Sequence, residues 1–290
     1  MESLNETSAD RFILLGLTNT PYLQELCVFV FLIMYLVTIA GNLFFIIVVG
    51  TSVQLQTPMY FFLCNLSVID IGFSSTIVPT LLINSVARDK SISLLGCGVQ
   101  MFFHLALGST ECFILSVMAY DRYAAICQPL HYYKVMSKTV CICLASGSWT
   151  VSLINSAIHV VFTFQLPFCR DTWFNEVAMY ISASIIGLCS FFLTLISYVS
   201  IVLTILKICS TKERMKAFST CGSHLTVVSL YYGTLTFMYF HPRSDCFPET
   251  AKTTSLIYTV VTPMLNPLIY SIRNEEVQNS IKNKLTIILY

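Results

Sequence analysis

A chain of 290 residues, 56% hydrophobic and only 11% charged, carries less than half of the about 25% charge with which a soluble domain covers its surface. That excludes an ordinary water-soluble globule and points to the bilayer as solvent. A formal net charge of +1 offers no basic surface for nucleic acid.

In chain order, Met1 to Asp10 is acidic and polar, and Phe12 to Leu17 is too short and lacks a positive leader. The first span is therefore expected to act as its own insertion signal. No charge falls between Leu26 and Ile69, a run that holds two spans of about 20 residues and their turn. Apolar runs between polar breaks predict spans near 25–50, 58–82, 95–120, 139–162, 176–206, 217–240 and 251–272, and the amphipathic stretch 274–285 predicts a short helix on the membrane surface. The fold class is thus an all-α membrane protein: an outer segment 1–24, a seven-helix bundle 25–272 and a cytoplasmic tail 273–290.

Seven spans place the two ends on opposite sides. Arg122, Lys134 and Lys138, then Lys207, Lys212, Arg214 and Lys216, then Arg273, Lys282 and Lys284 put ten of the 16 Lys and Arg residues on one side. The other side has six, among nine acids. The basic side is cytoplasmic, so the N-terminus faces out and Asn5-Glu6-Thr7 becomes a glycosylation sequon at Asn5. Most of the twelve cysteines lie inside apolar runs, where they behave as small apolar residues. Cys97, Cys169 and Cys246 lie nearer span ends that could meet an oxidising compartment.

Two acids stand in mid-span, Asp70 and Glu111, where a charge costs roughly 2.5–3.5 kcal/mol on insertion scales. Both are expected to face the bundle interior, with Asn42 and Asn266 at similar depth. This polar core would hold water or a sodium ion, or serve only as hydrogen-bonding glue between helices. The third span ends in Met118-Ala119-Tyr120-Asp121-Arg122-Tyr123. The seventh ends in Pro263-Met264-Leu265-Asn266-Pro267-Leu268-Ile269-Tyr270, whose prolines remove helix hydrogen bonds. An ionic cap on one helix and a deformed end on another suit a bundle with two packings.

These runs, with Gly41-Asn42, Pro58-Met59-Tyr60-Phe61-Phe62-Leu63, Pro129-Leu130-His131-Tyr132, Ser197-Tyr198, Lys216-Ala217-Phe218-Ser219-Thr220-Cys221 and Ser271-Ile272-Arg273-Asn274, resemble the odorant receptors of the rhodopsin-like G-protein-coupled class. Tyr231-Tyr232-Gly233, where most rhodopsin-like receptors carry Trp and Pro, is similar to the odorant branch, and the short N-terminus looks like its tetrapod-type class.

The resemblance implies that Asp121 restrains Arg122 at rest, that Arg122 and Tyr123 lie at the G-protein end, and that Tyr198 and Tyr270 close around Arg122 on activation. It places Lys216, Ser219 and His224 on the swinging part of span six, and Asn266 and Pro267 in the switch of span seven. A small volatile odorant would lie against His104, Leu105, Gly108 and Ser109 of span three and Ser182, Ala183 and Ile186 of span five. Span six would add Leu235, Thr236 and Tyr239, and span seven Leu256 and Thr259. Such a lining suits a neutral ligand with one hydrogen-bonding group, although each aliphatic member could equally be core packing.

The implied partners are the odorant, a heterotrimeric stimulatory G protein that raises cAMP, and the lipid bilayer. There would be no catalysis and no cofactor beyond that sodium ion. The chain departs from the family between spans four and five. Leu166-Pro167-Phe168-Cys169-Arg170-Asp171-Thr172-Trp173 runs almost directly into the next span, where the family has a long loop with several cysteines. The family ties this region to the top of span three, which implies a Cys97–Cys169 disulfide if the two Cα atoms approach within about 7 Å. Cys246 is a rival partner. The missing loop leaves open a degenerate, non-signalling form. A transporter or channel would need inverted repeats or broken helices at the midplane, and a membrane enzyme would need metal-ligand spacing such as His-Glu-x-x-His. The sequence shows none of these.

Overall fold

The computed structural model describes residues 11–13, 21–87, 91–165, 173–240, 260–273 and 277–280. Seven helices carry the bundle: α1 (Pro21–Thr51), α2 (Pro58–Val86), α3 (Leu94–Cys127), α4 (Lys138–Gln165), α5 (Trp173–Leu206), α6 (Thr211–Phe240) and α7 (Thr262–Arg273). The first six match the sequence-predicted spans, most running a few residues further at one or both ends, and of the seventh, expected near 251–272, the part before 260 lies outside the described residues. Polarity marks where a helix leaves the hydrocarbon, whereas local backbone signals end it. Pro58 opens α2 in its first turn after Thr57, and the Ser93 hydroxyl caps α3 by accepting from the Gly96 amide at 3.1 Å. Of the expected surface helix 274–285, only a helical turn at 277–280 lies among the described residues.

Helices α1 to α5 each contain a stretch long and apolar enough to cross a membrane. Helix α6 is more polar because it carries Ser223, His224, Thr226, Tyr231 and Tyr232, of which Ser223, His224, Tyr231 and Tyr232 are buried. The described part of α7 is 12 residues long. Half of the most apolar window of α3 is buried, against 28% in α1 and in α4, so α3 is the central post. It packs against α2, α4 and α5, while α7 packs against α1, α2 and α6. Gly41 lets α1 approach α7, since a Cβ there would lie 3.4 Å from the Pro267 ring. Phe29, Leu36 and Ile47 of α1 and Ile196 and Leu203 of α5 face outward, as lipid-facing positions do. One core cluster joins Phe62, Leu66, Ile114, Leu115 and Tyr231, and a smaller one gathers Ala119, Tyr198, Ile201 and Cys221.

The sequence pattern did not predict the two three-residue strands β1 (Arg11–Ile13) and β2 (Ser91–Ser93). They pair antiparallel, with Arg11 opposite Ser93 and Ile13 opposite Ser91. Strands this short show no readable alternation.

Candidate functional site

At its Arg122 end α3 presents a buried ion pair. Asp121 is fully buried and accepts from Arg122, at 3.0 Å from Nε and again from the terminal nitrogen, through one carboxylate oxygen. Its other oxygen accepts from the Tyr132 hydroxyl at 2.8 Å. Tyr132 belongs to a single helical turn, Tyr132–Val135, that follows the tight turn Pro129–His131. Proline fixes that turn and returns the chain under α3. Burial, then the adjacent Asp121 charge, pushes the Tyr132 phenol up, so it remains a proton donor over the physiological range. The Pro129-Leu130-His131-Tyr132 run is the sequence signal for this role, which sequence reasoning did not assign.

One turn away, Tyr198 of α5 and His224 of α6 are buried, stacked with ring centroids 5.7 Å apart, and joined by a hydrogen bond between the Tyr198 hydroxyl and His224 Nδ1. Tyr198 therefore engages α6 in this structure. Tyr270 is buried on α7, its hydroxyl without a hydrogen-bond partner among the described residues. Tyr123 is half-buried on α3. Lys216 and Ser219 lie on α6, with their side chains outside the described residues.

Deeper in the bundle, Asp70 and Glu111 are both buried, on α2 and α3, and near enough to act on each other electrostatically. Asn266 of α7 donates to both Asp70 oxygens, at 3.1 and 3.0 Å. Asn42 of α1 donates to the Thr38 and Pro263 carbonyls, at 2.9 and 3.1 Å. The Pro263 carbonyl lies next to Pro267 in sequence register, where proline removes the amide that would otherwise bond it. The structure thus brings Asn42, Asp70, Glu111, Asn266 and Pro267 into one region spanning four helices. The side-chain oxygens of Asn42 and Asn266 have no hydrogen-bond partner among the described residues. No group of three His, Cys, Asp or Glu side chains suited to a metal occurs among the described residues.

The expected ligand positions are less uniform. His104, Leu105, Gly108 and Ser109 are half-buried on α3, and His104 rests on the Phe73 ring at 4.8 Å. Ala183, Ile186 and Leu235 are half-buried, the last two packed against the core. Ser182 meets His159 of α4 at 2.7 Å; sequence reasoning did not single out His159. Thr236 is exposed, the Tyr239 side chain lies outside the described residues, and so do Leu256 and Thr259.

Below these positions runs a hydroxyl network that reading by motif missed. Tyr231 donates to the Gly108 carbonyl at 3.0 Å and meets Cys112 Sγ at 2.8 Å. Tyr232 meets Ser190 at 2.7 Å, and Ser116 donates to the Ser190 carbonyl at 3.1 Å. The network ties α3, α5 and α6 together.

On the outer face Cys97 is a free cysteine among the described residues. Cys169 lies outside the described residues, in the seven residues between α4 and α5. Asn5 also lies outside the described residues.

The described geometry is that of a receptor-like bundle, and comparison with known proteins agrees. The chain matches the olfactory receptor family over residues 31–287. It is 44% identical to human Olfactory receptor 5G3 over 98% of this chain and 97% of that one. It is 43% identical to human Olfactory receptor 10A7 (97% and 96%) and 40% identical to rat Olfactory receptor 1f45 (99% and 98%). The alignment to Olfactory receptor 5G3 runs over 305 positions but draws on 98% of 290 residues, so roughly twenty positions of that relative have no counterpart here. A family of membrane receptors, not of enzymes, accounts for the seven-helix bundle and for its buried polar contacts: this chain belongs to the olfactory receptor family.

Proposed function

We propose that this receptor binds a small, neutral volatile molecule between α3, α5, α6 and α7 and activates a stimulatory G protein at the Arg122 end of α3, raising cAMP. The observation that carries the reading is the Asp121–Arg122–Tyr132 cluster, a buried ion pair held by local contacts at a helix end. Exchanging that pair for contacts with a partner is a two-state change of the kind that couples a ligand to a distant surface. On this reading the protein sits in the plasma membrane with its N-terminus outside and a glycan at Asn5, and the Lys- and Arg-rich side faces the G protein. His104 supplies the polar contact to the odorant, and Leu105, Gly108, Ala183, Ile186 and Leu235 its apolar walls.

The same reading gives a sodium ion a place beside Asp70 and Glu111. Two carboxylates and the unpartnered oxygens of Asn42 and Asn266 are hard oxygen donors of the type such a cation takes. A bound cation would neutralise the cluster and favour one packing of α7.

A second reading, a receptor form that no longer signals, draws on the seven-residue α4–α5 connection and the roughly twenty missing positions. Surface staining of an N-terminally tagged chain, combined with a cAMP reporter screened against an odorant panel, separates the two. Surface protein with odorant-dependent cAMP supports the first reading. Surface protein silent to a broad panel, with Gs-fused chain also silent, supports the second.

A further inference from the structure

A groove of about 460 Å³ opens on the outside of the bundle between α3, α4 and α5, walled by Phe113, Val117, Tyr120, Gly147, Val151 and Leu193. We propose that it is a binding site for a membrane sterol. The inference requires only that these helices cross the bilayer, not that the receptor couples to a G protein.

Three observations select the occupant. First, the groove lies on a face that lipid bathes, and its size falls within the roughly 300–1,000 Å³ of sites that hold one small molecule. Second, its walls present almost no polarity. Ser148 and Ser197 donate their hydroxyls to the carbonyls of Leu144 and Leu193, at 2.7 and 2.9 Å, and Ser116 is turned to those of Cys112 and Ser190. No Lys or Arg lines the groove among the described residues, and Arg122, two residues beyond Tyr120, is committed to Asp121. A phospholipid phosphate would find no cation there.

Third, one hydroxyl is free to meet a ligand. Tyr120 is 41% exposed and makes no hydrogen bond among the described residues, while its ring stacks on Tyr123 at 6.1 Å. Helix α3 has 34 residues, about 51 Å at 1.5 Å per residue, against a hydrocarbon core of about 30 Å. Each end therefore projects by about 10 Å, and Tyr120, seven residues before Cys127, stands near the hydrocarbon edge. A neutral, rigid, apolar molecule with a single hydroxyl at the membrane–water boundary satisfies all three conditions, and that is the chemistry of a sterol.

The floor of the groove supplies a test. A Cβ built on Gly147 meets nothing within 4 Å, so Gly147→Phe fills the groove without a clash at the branch point. The full-length receptor is reconstituted in phosphatidylcholine nanodiscs with a diazirine-bearing cholesterol analogue, irradiated, and its labelled peptides mapped by mass spectrometry. Labelling should concentrate between 113 and 120 and between 143 and 151, and unlabelled cholesterol but not phosphatidylglycerol should compete. Gly147→Phe should lower it at least about fivefold, with the thermal unfolding midpoint as a check on folding, and Tyr120→Phe should weaken it about fivefold, one hydrogen bond's worth. Should Gly147→Phe fail to fold, Tyr120→Phe and the competition decide. Labelling spread evenly over all helices, indifferent to both substitutions, or displaced equally by phospholipid overturns the proposal.

Discussion

Asp121 and Asp70 are both buried carboxylates, yet Asp121 is held by the cation of the next residue and a phenol eleven residues on, whereas Asp70 is held by an amide 196 residues away. The first is a local assembly on α3 and the turn after it, which carries its own countercharge. The second depends on α7 docking against α2, and its donor is neutral. A locally paired acid can be released by a partner without unfolding the helix that carries it. An acid paired across the bundle reports on the packing of whole helices. The contrast separates a switch from a structural hub, and it can be tested at either end.

The largest effect is expected at Arg122. Arg122→Ala should abolish odorant-driven cAMP while surface staining stays close to wild type, because Tyr132 still satisfies one Asp121 oxygen. Agonist-driven cAMP at the wild-type level would remove Arg122 from coupling. Next comes Asn266→Ala, which strips Asp70 of its donor. It should destabilise the purified receptor by about 2 kcal/mol, read from thermal unfolding. The exchange pair Asp70→Asn with Asn266→Asp should recover most of that loss, since an amide and a carboxylate then still face each other. An exchange variant as unstable as Asn266→Ala would show that the contact is incidental.

How much of this was legible in sequence follows the same divide. The Asp121–Arg122 restraint was legible through the family resemblance of the run that carries it, since adjacent side chains on a helix do not face each other by geometry alone, and the Tyr132 contact was not legible at all. The seven spans were legible because lipid imposes long apolar runs. The Asn266–Asp70 pairing was legible only as four polar residues at similar depth; no spacing rule says which amide finds which acid. The α6 hydroxyl network and His159 were missed because Ser, Tyr and His on an interior face leave no periodic signal of their own. The strand pair was missed because three residues are too few for alternation to register.

Two smaller effects sharpen the contrast. Tyr132→Phe removes one of the two groups that hold Asp121, and should raise odorant-independent cAMP by about tenfold if the lost bond biases the resting state by about 1.4 kcal/mol. Unchanged basal cAMP would leave Arg122 as the sole restraint. Ser182→Ala should cost only about 0.6 kcal/mol of thermal stability, typical of one hydrogen bond between membrane helices. A loss several times larger would make the α4–α5 contact through His159 a second hub.

The pairing of Arg11–Ile13 with Ser91–Ser93 turns the start of the chain into a leash. Asn5 lies six residues ahead of the strand, so even a fully extended segment keeps it within about 20 Å of Arg11 and hence of the α2–α3 corner. On the proposed reading of a glycan at Asn5, a branched sugar would be held near that corner instead of trailing freely into solvent. Its bulk would then hinder the approach of neighbouring membrane proteins on the α2–α3 side of the bundle.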